Sequence, residues 1–279
     1  MLKTKGKPRK YQIIVAVIVI IFLILLLKKL PPKIKKKAPS EAPKIEKVLP
    51  VEKKKKEYRI AVIIDDVGYP SDMLYEYQNF KGKLTFSVLP FLKASVKYAS
   101  ILHEKGFEIM IHIPMEPQSY PKTNPGPYAL LMDNTKEEVE QKLSMMIKDN
   151  PFAVGANNHM GSRATMDRDL MLWTLGVLKD SDLFFIDSVT TPDSLAHDIA
   201  LNLNLDTSRR DIFLDNEDSF SAINNQFEKL KKISKTNGTA IGIGHINKQN
   251  TLKVLEHQLP LLKEENYTLI FASETVVHK

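Results

Sequence analysis

The sequence predicts an α/β domain built as an irregular (β/α) barrel of about seven strands, preceded by an N-terminal transmembrane anchor and a disordered linker. Three observations predict it. From residue 58 onward, short runs of aliphatic and β-branched residues alternate with amphipathic helical segments. Most of those runs are apolar throughout, as strands buried on both faces must be. A separate, uninterrupted apolar stretch, Ile13 to Leu27, stands near the N-terminus with lysines on both sides.

Charge divides along the same boundary. Residues 1–57 carry a net +13 and residues 58–279 a net −6, within an overall +7. A polyanion is repelled on average by such a domain, so nucleic acid is not an expected partner. The chain has no cysteine, which removes disulfides, thiolate metal sites and cysteine nucleophiles.

The apolar stretch rises about 22 Å as a helix, short of the ~30 Å hydrocarbon core, so Tyr11, Gln12, Lys28, Lys29 and Leu30 are needed to complete a span. Lys3, Lys5, Lys7, Arg9 and Lys10 form a positive segment of the kind that stays cytoplasmic. A small-x-small cleavage site is missing close behind it, since Ser40-Glu41-Ala42 is too distant, and an uncleaved anchor is expected. Residues 1–30 are therefore expected to be tail and anchor. Residues 31–57, rich in lysine and proline, read as a disordered linker. Residues 58–279 read as the barrel domain, held on the periplasmic or extracytoplasmic side of the inner or plasma membrane.

Within the domain, strands are expected at Arg59–Ile64, Leu84–Leu89, Glu108–Ile113, Ala153–Asn157, Leu183–Ile186, Ile212–Leu214, Ala240–Gly244 and Thr268–Ala272. Helices are expected near 94–105, 135–148, 166–179, 193–203, 218–236 and 249–264. The clearest is the second, where Thr135-x-x-Glu138 is a capping box ahead of a Val139, Leu143, Met146, Ile147 stripe. In parallel α/β folds, chemistry sits at the C-terminal ends of the strands. Here those ends read Asp65-Asp66, His112 followed by Glu116, Asn157-Asn158-His159 leading to Arg163, Asp187, and Gly244-His245. The two adjacent carboxylates face opposite ways if the chain stays extended. They repel unless a cation lies between or beside them. An Asp with two His is a set that suits Zn²⁺ and related divalent metals and leaves positions open for water and substrate. Of the other histidines, His103, His197 and His257 fall in helical patterns and His278 in the terminal tail.

The ordered segments IIDDVG, HIPMEP, NNHMGSRAT, FFIDS and IGIGHIN resemble the divergent polysaccharide deacetylase family, within the NodB-homology deacetylases, across roughly residues 59–274. The resemblance implies a distorted barrel of about seven strands and a divalent metal, usually zinc. It implies Asp65 as general base, Asp66 and His112 as metal ligands, Arg163 as the residue that positions the base, and Asp187 as the residue that orients the general acid His245. The usual second histidine is replaced by Glu116, so the third ligand is either Glu116 or His159, with His159 preferred. The usual Arg-x-Pro-Tyr is also replaced, by Arg163-Ala-Thr.

The expected function is metal-dependent hydrolysis of N-acyl groups on a cell-envelope glycan. The alternatives are a catalytically inactive barrel that binds an envelope glycan or protein partner, and a metal-dependent peptidase or esterase.

Overall fold

The structure is a computed structural model that describes residues 9–28 and 57–277, with side chains from residue 13 in the first segment. All of the expected linker but Glu57 lies outside the described residues, as does His278.

The first segment is helix α1 (Arg9–Leu27). Its residues Ile13–Leu27 are exposed on every face. Among the described residues no helix is long and apolar enough to cross a membrane. The span expected within 1–30 is therefore not found among them, for the physical reason that the described apolar run falls several ångströms short of a bilayer core.

In the second segment strands alternate with helices, because continuous apolar runs flanked by amphipathic stripes can bury both faces only in layers. The strands are β1 (Tyr58–Val67), β2 (Thr85–Val88), β3 (Glu108–Met115), β4 (Ala153–Met160), β5 (Phe184–Asp187), β6 (Thr207–Arg209), β7 (Ile212–Phe213), β8 (Thr239–His245) and β9 (Tyr267–Ile270). The helices are α2 (Met73–Tyr77), α3 (Ser95–Glu104), α4 (Lys136–Asp149), α5 (Arg168–Asp180), α6 (Ala196–Asn202), α7 (Phe220–Asn237) and α8 (Gln249–Glu264). Each expected strand and helix has its counterpart. The additions are β6 and α2, both too short to carry a readable period.

The sheet runs β6-β5-β4-β3-β2-β1-β8-β7, with β9 paired to β1, and every pairing is parallel. Its two edge strands, β6 and β7, are successive in the chain. Arg210 donates its backbone N–H to Asp187 on β5, and Asp211 donates to Ile241 on β8, so one short segment bridges both edges of a curled half-barrel.

Three of the helices, α4, α5 and α7, start where a side chain satisfies one of their first free N–H groups. The capping box on α4 is present: Thr135 Oγ1 accepts from the Glu138 N–H and Glu138 Oε2 accepts from the Thr135 N–H. Asp167 caps α5 by accepting the Leu170 N–H, and Ser219 caps α7 by accepting the Ala222 N–H, each without the reciprocal bond.

Strand periodicity sorts the core. Ala61, Ile63, Met110, Phe184, Ile186, Ile241, Ile243 and Ile270 form a cluster that includes no residue of the covering helices, and this is the barrel interior. Their strand neighbours Ile60, Val62, Ile64, Ile111, Ile113 and Phe185 pack outward against the helices. The C-terminal residues close the lower mouth, where Ala272 donates to Thr85 Oγ1 and Val277 to the Thr207 carbonyl. That leaves the C-terminal ends of the strands as the open end.

Gly155 sits on the interior face of β4 beneath the ring of Phe184, and a Cβ built there would stand 2.5 Å from Phe184 Cζ. Gly155→Ala is expected to destabilise the domain by about 1–3 kcal/mol through overpacking, read as a lower urea midpoint. An unchanged midpoint would show that the ring moves freely.

Candidate metal centre

The interior rows of side chains become polar at the open end. On β1 the row Ala61, Ile63 continues to Asp65, on β3 Met110 leads to His112, and on β8 Ile241, Ile243 lead to His245. On β4 the same face carries Gly155, Asn157 and His159. A period of two thus delivers each group to one rim without any special local structure.

Asp66 is the exception. On a regular strand it would face outward, away from Asp65. A bulge interrupts the β1–β2 register between Ile64 and Val67, and Asp66 adopts a left-handed φ of 65°. The expectation that the two carboxylates diverge is thereby corrected, for the left-handed residue swings the Asp66 side chain back over the rim. Beyond His159 the chain turns through Met160 (φ 55°) and Gly161 (φ 87°), the sharp turn for which that pair of residues is suited.

Asp66 Oδ1 lies 3.0 Å from His159 Nδ1 and 3.3 Å from His112 Nε2, and the two imidazole nitrogens lie 3.1 Å apart. The Asp66 oxygen is buried and accepts no hydrogen bond of acceptable geometry from either ring. One carboxylate oxygen and two imidazole nitrogens that converge this closely are a donor set that a cation can bridge. Tetrahedral ligands about 2.0–2.1 Å from a metal stand about 3.4 Å apart, close to these separations. Asp66, His112 and His159 therefore form a group that could hold a metal ion. Burial alone would raise the Asp66 carboxyl, but the two imidazoles outweigh it and hold it well below the usual carboxylate range. Burial disfavours charge on His112, yet Asp65 and Asp66 beside it lift its pKa above the ordinary value.

Asp65 is buried, with Oδ2 3.6 Å from His112 Nε2. Its Oδ1 accepts from Asn157 Nδ2 at 2.9 Å. Burial pushes its carboxyl up, against the pull of His112, His245 and the Asn157 amide. On the neighbouring strand, in direct register with Asp65, stands His245. Its Nδ1 meets Asp215 Oδ1 at 2.7 Å, while Asp215 Oδ2 accepts from the His245 backbone N–H and from the Thr251 hydroxyl. Burial opposes the charge on His245, but the Asp215 hydrogen bond and charge prevail and push its pKa up to about 9. Gly244 makes room for this pair, since a Cβ there would lie 3.1 Å from Asp215 Oδ2 and 2.8 Å from Thr251 Cγ2.

Two expected roles are corrected. Asp187 does not orient His245. It shares the outward face of β5 with Phe185, and its carboxylate accepts from the Val189 N–H and the Ser194 hydroxyl, both at 2.8 Å. The orienting carboxylate is Asp215. Arg163 does not reach Asp65, because its Nη1 donates to Glu116 Oε1 at 2.7 Å. Glu116 in turn accepts from the Met132 N–H through Oε2, so it ties loops together and stands apart from the ligand cluster. Of the two candidates for third ligand, His159 is the one that the fold brings to Asp66 and His112.

Sequence reasoning missed Asn157, Asp215 and Arg210. Asp215 is two residues past Phe213 on the strand beside His245, a strand-end acid on the correct face. Asn157 is two residues before His159 on one face, a spacing that could have singled it out. Arg210 lies 3.7 Å over the Phe213 ring, which is itself stacked on His245, and donates to the Ser188 and Val189 carbonyls. No periodic signal marks it. His103, His197 and His257 lie on α3, α6 and α8, away from this rim.

A family model for divergent polysaccharide deacetylases matches residues 62–276, a stretch that includes every residue of the rim. The chain is 32% identical over 207 residues to an uncharacterized protein of Haemophilus influenzae, covering 74% of this chain and 73% of that one. It is 30% identical over 215 residues to the uncharacterized protein YibQ of Escherichia coli, covering 77% of this chain and 66% of that one. In three dimensions it resembles the uncharacterized protein ATU2773 of Agrobacterium tumefaciens with a TM-score of 0.74 at 21% identity, over 78% of this chain and 89% of the other.

The His245–Asp215 pair has a consequence for stability. A group whose pKa is higher folded than unfolded stabilises the fold fully below its unfolded value, and that contribution is lost as pH rises through the folded value. Metal-free protein should therefore lose stability as pH climbs from about 6.5 to about 9, and Asp215→Asn should remove much of that slope. Urea unfolding across this range reads it, and identical slopes in wild type and variant would refute the assignment.

Proposed function

The chain belongs to the divergent polysaccharide deacetylase family, and from that membership we propose that it is a metal-dependent hydrolase that removes N-acyl (acetamido) groups from a cell-envelope glycan. The observation that carries the proposal is the convergence of Asp66, His112 and His159 on one point, flanked by an unliganded carboxylate and a carboxylate-paired histidine.

The donor set of two imidazoles and one carboxylate suits zinc and leaves open coordination positions. A divalent cation there would supply Lewis acidity toward an acyl carbonyl and acidify water near neutral pH. The protein's own residues handle the protons. Asp65, raised by burial and aimed by the Asn157 amide, accepts the proton of the attacking water. His245, kept protonated at neutral pH by Asp215, donates to the nitrogen of the departing amine. Amide cleavage then yields a carboxylate and a free amine. Arg163 and Glu116 take no part in these transfers and hold the β3 and β4 loops in place around the rim.

Purified protein should bind one equivalent of Zn²⁺, measured by elemental analysis, and His112→Ala should lose it. On N-acetylated oligosaccharides, Asp65→Asn and His245→Ala should each keep the metal and lose about 10²–10⁴-fold in kcat. Turnover of acetylated peptides or esters in place of sugars would move the same residues to a peptidase or esterase. Full activity of Asp65→Asn would end the hydrolase reading and leave a glycan- or protein-binding barrel.

Localisation is part of the same proposal: α1 attaches the domain to a membrane, with the barrel on the extracytoplasmic side. Its support is a helix whose apolar side chains are exposed all round, preceded by the lysine-rich segment. The full-length chain should sediment with membranes and be released by detergent but not by high salt. Release by salt alone would point to electrostatic attachment instead.

A further inference from the structure

Asn157 is fully buried at the centre of the rim, and every hydrogen bond of its side chain goes to another side chain near the candidate metal centre. Its Oδ1 meets His112 Nδ1 at 2.7 Å and also accepts the Ser87 hydroxyl. Its Nδ2 donates to Asp65 Oδ1 at 2.9 Å. The network settles which way the amide points. Reversed, it would place a carbonyl oxygen against the Asp65 carboxylate and an NH₂ group against His112. With Oδ1 as acceptor, His112 donates from Nδ1, and in its neutral form the ring then turns the Nε2 lone pair toward Asp66 and His159.

We propose that Asn157 is a positioning residue that joins the two halves of the site, fixing the ring nitrogen that His112 offers to a cation and the orientation in which Asp65 faces the water. Ser87 stands behind it and occupies the second lone pair of Oδ1, which holds the amide against rotation. Groups that orient a metal-binding histidine through its other nitrogen commonly change metal affinity about 10–100-fold when removed. The inference rests on the metal-centre reading above and deepens it, because an amide both accepts and donates where a carboxylate can only accept.

That difference gives the test. Zn²⁺ and Co²⁺ affinities of the full-length protein in mild detergent are measured by competition with a chromogenic chelator, together with the Co²⁺ absorption spectrum, turnover on an N-acetylated oligosaccharide, and thermal melting of the metal-free form. Asn157→Ala should bind about 10–100-fold more weakly. Asn157→Asp is isosteric and still accepts from His112 and Ser87, so it should keep affinity within about threefold of wild type and an unaltered Co²⁺ spectrum. Its new carboxyl group stands against Asp65 Oδ1, the two share one proton, and Asp65 is no longer free to accept another from water, so turnover should fall about 100-fold or more. If Asn157→Ala fails to fold, Ser87→Ala with Asn157→Asp decides the matter, and Ser87→Ala should weaken metal binding a few-fold. Wild-type affinity in Asn157→Ala, equal metal loss in the Asp and Ala variants, or full turnover in Asn157→Asp would overturn the proposal. Failure of the wild-type protein to bind metal would overturn the metal-centre reading itself, a separate result.

Discussion

The constraint on which the structure depends is the two-residue period of parallel strands that are buried on both faces. Curling such a sheet gives it an inside and an outside, and each strand then commits alternate residues to one or the other. The interior is narrow and apolar through Ala61, Ile63, Met110, Ile241 and Ile243. Beyond these apolar layers, the next interior positions along β1, β3, β4 and β8 stand at the open end of the strands. Those positions are Asp65, His112, Asn157 with His159, and His245. Their polarity would be destabilising two residues earlier and is tolerated here because each finds a partner across the rim.

Periodicity alone cannot assemble a three-atom cation site, and the chain departs from it where the site requires. A regular β1 would point Asp66 toward the helices, among apolar side chains. The bulge and the left-handed backbone at Asp66 cost about 1–3 kcal/mol. What they achieve is the approach of one carboxylate oxygen to two imidazole nitrogens within 3.3 Å. Departure from the local rule at a residue with unsatisfied buried polarity is what a candidate metal site looks like in a strand, with local stability given up to bring its ligands together.

This also explains how much was legible beforehand. The strands and most helices could be read because their periods extend over enough residues, and the strand-end histidines because the C-terminal ends of parallel strands are identifiable. The partners were not legible. Which carboxylate meets His245 depends on the register of β7 against β8, and the resemblance pointed to Asp187 in place of Asp215. Parity would have warned against that choice, since Asp187 shares a face with Phe185, whose ring packs outward. The destination of Arg163 depends on how the loops after β3 and β4 pack, a contact with no local signal. Asn157 sat in plain view beside His159, yet an asparagine in a strand announces nothing until its three partners are in place.

The fate of the two rim arginines bears on how the proposed base is tuned. Arg163 is neutralised by Glu116, and Arg210 donates to the Ser188 and Val189 carbonyls while stacking on Phe213. Neither donates to Asp65, which takes its hydrogen bond from a neutral amide instead. A guanidinium in contact with that carboxylate would lower its pKa by stabilising the anion, whereas an amide fixes its direction at a smaller electrostatic cost to its basicity. Burial then keeps the carboxyl above its ordinary value, which favours proton acceptance from water. The replacement of Arg-x-Pro-Tyr by Arg163-Ala-Thr is thus compatible with the proposed base, because Asp65 takes its orienting hydrogen bond from an uncharged residue of β4, across the barrel interior, and not from a charged one on a loop.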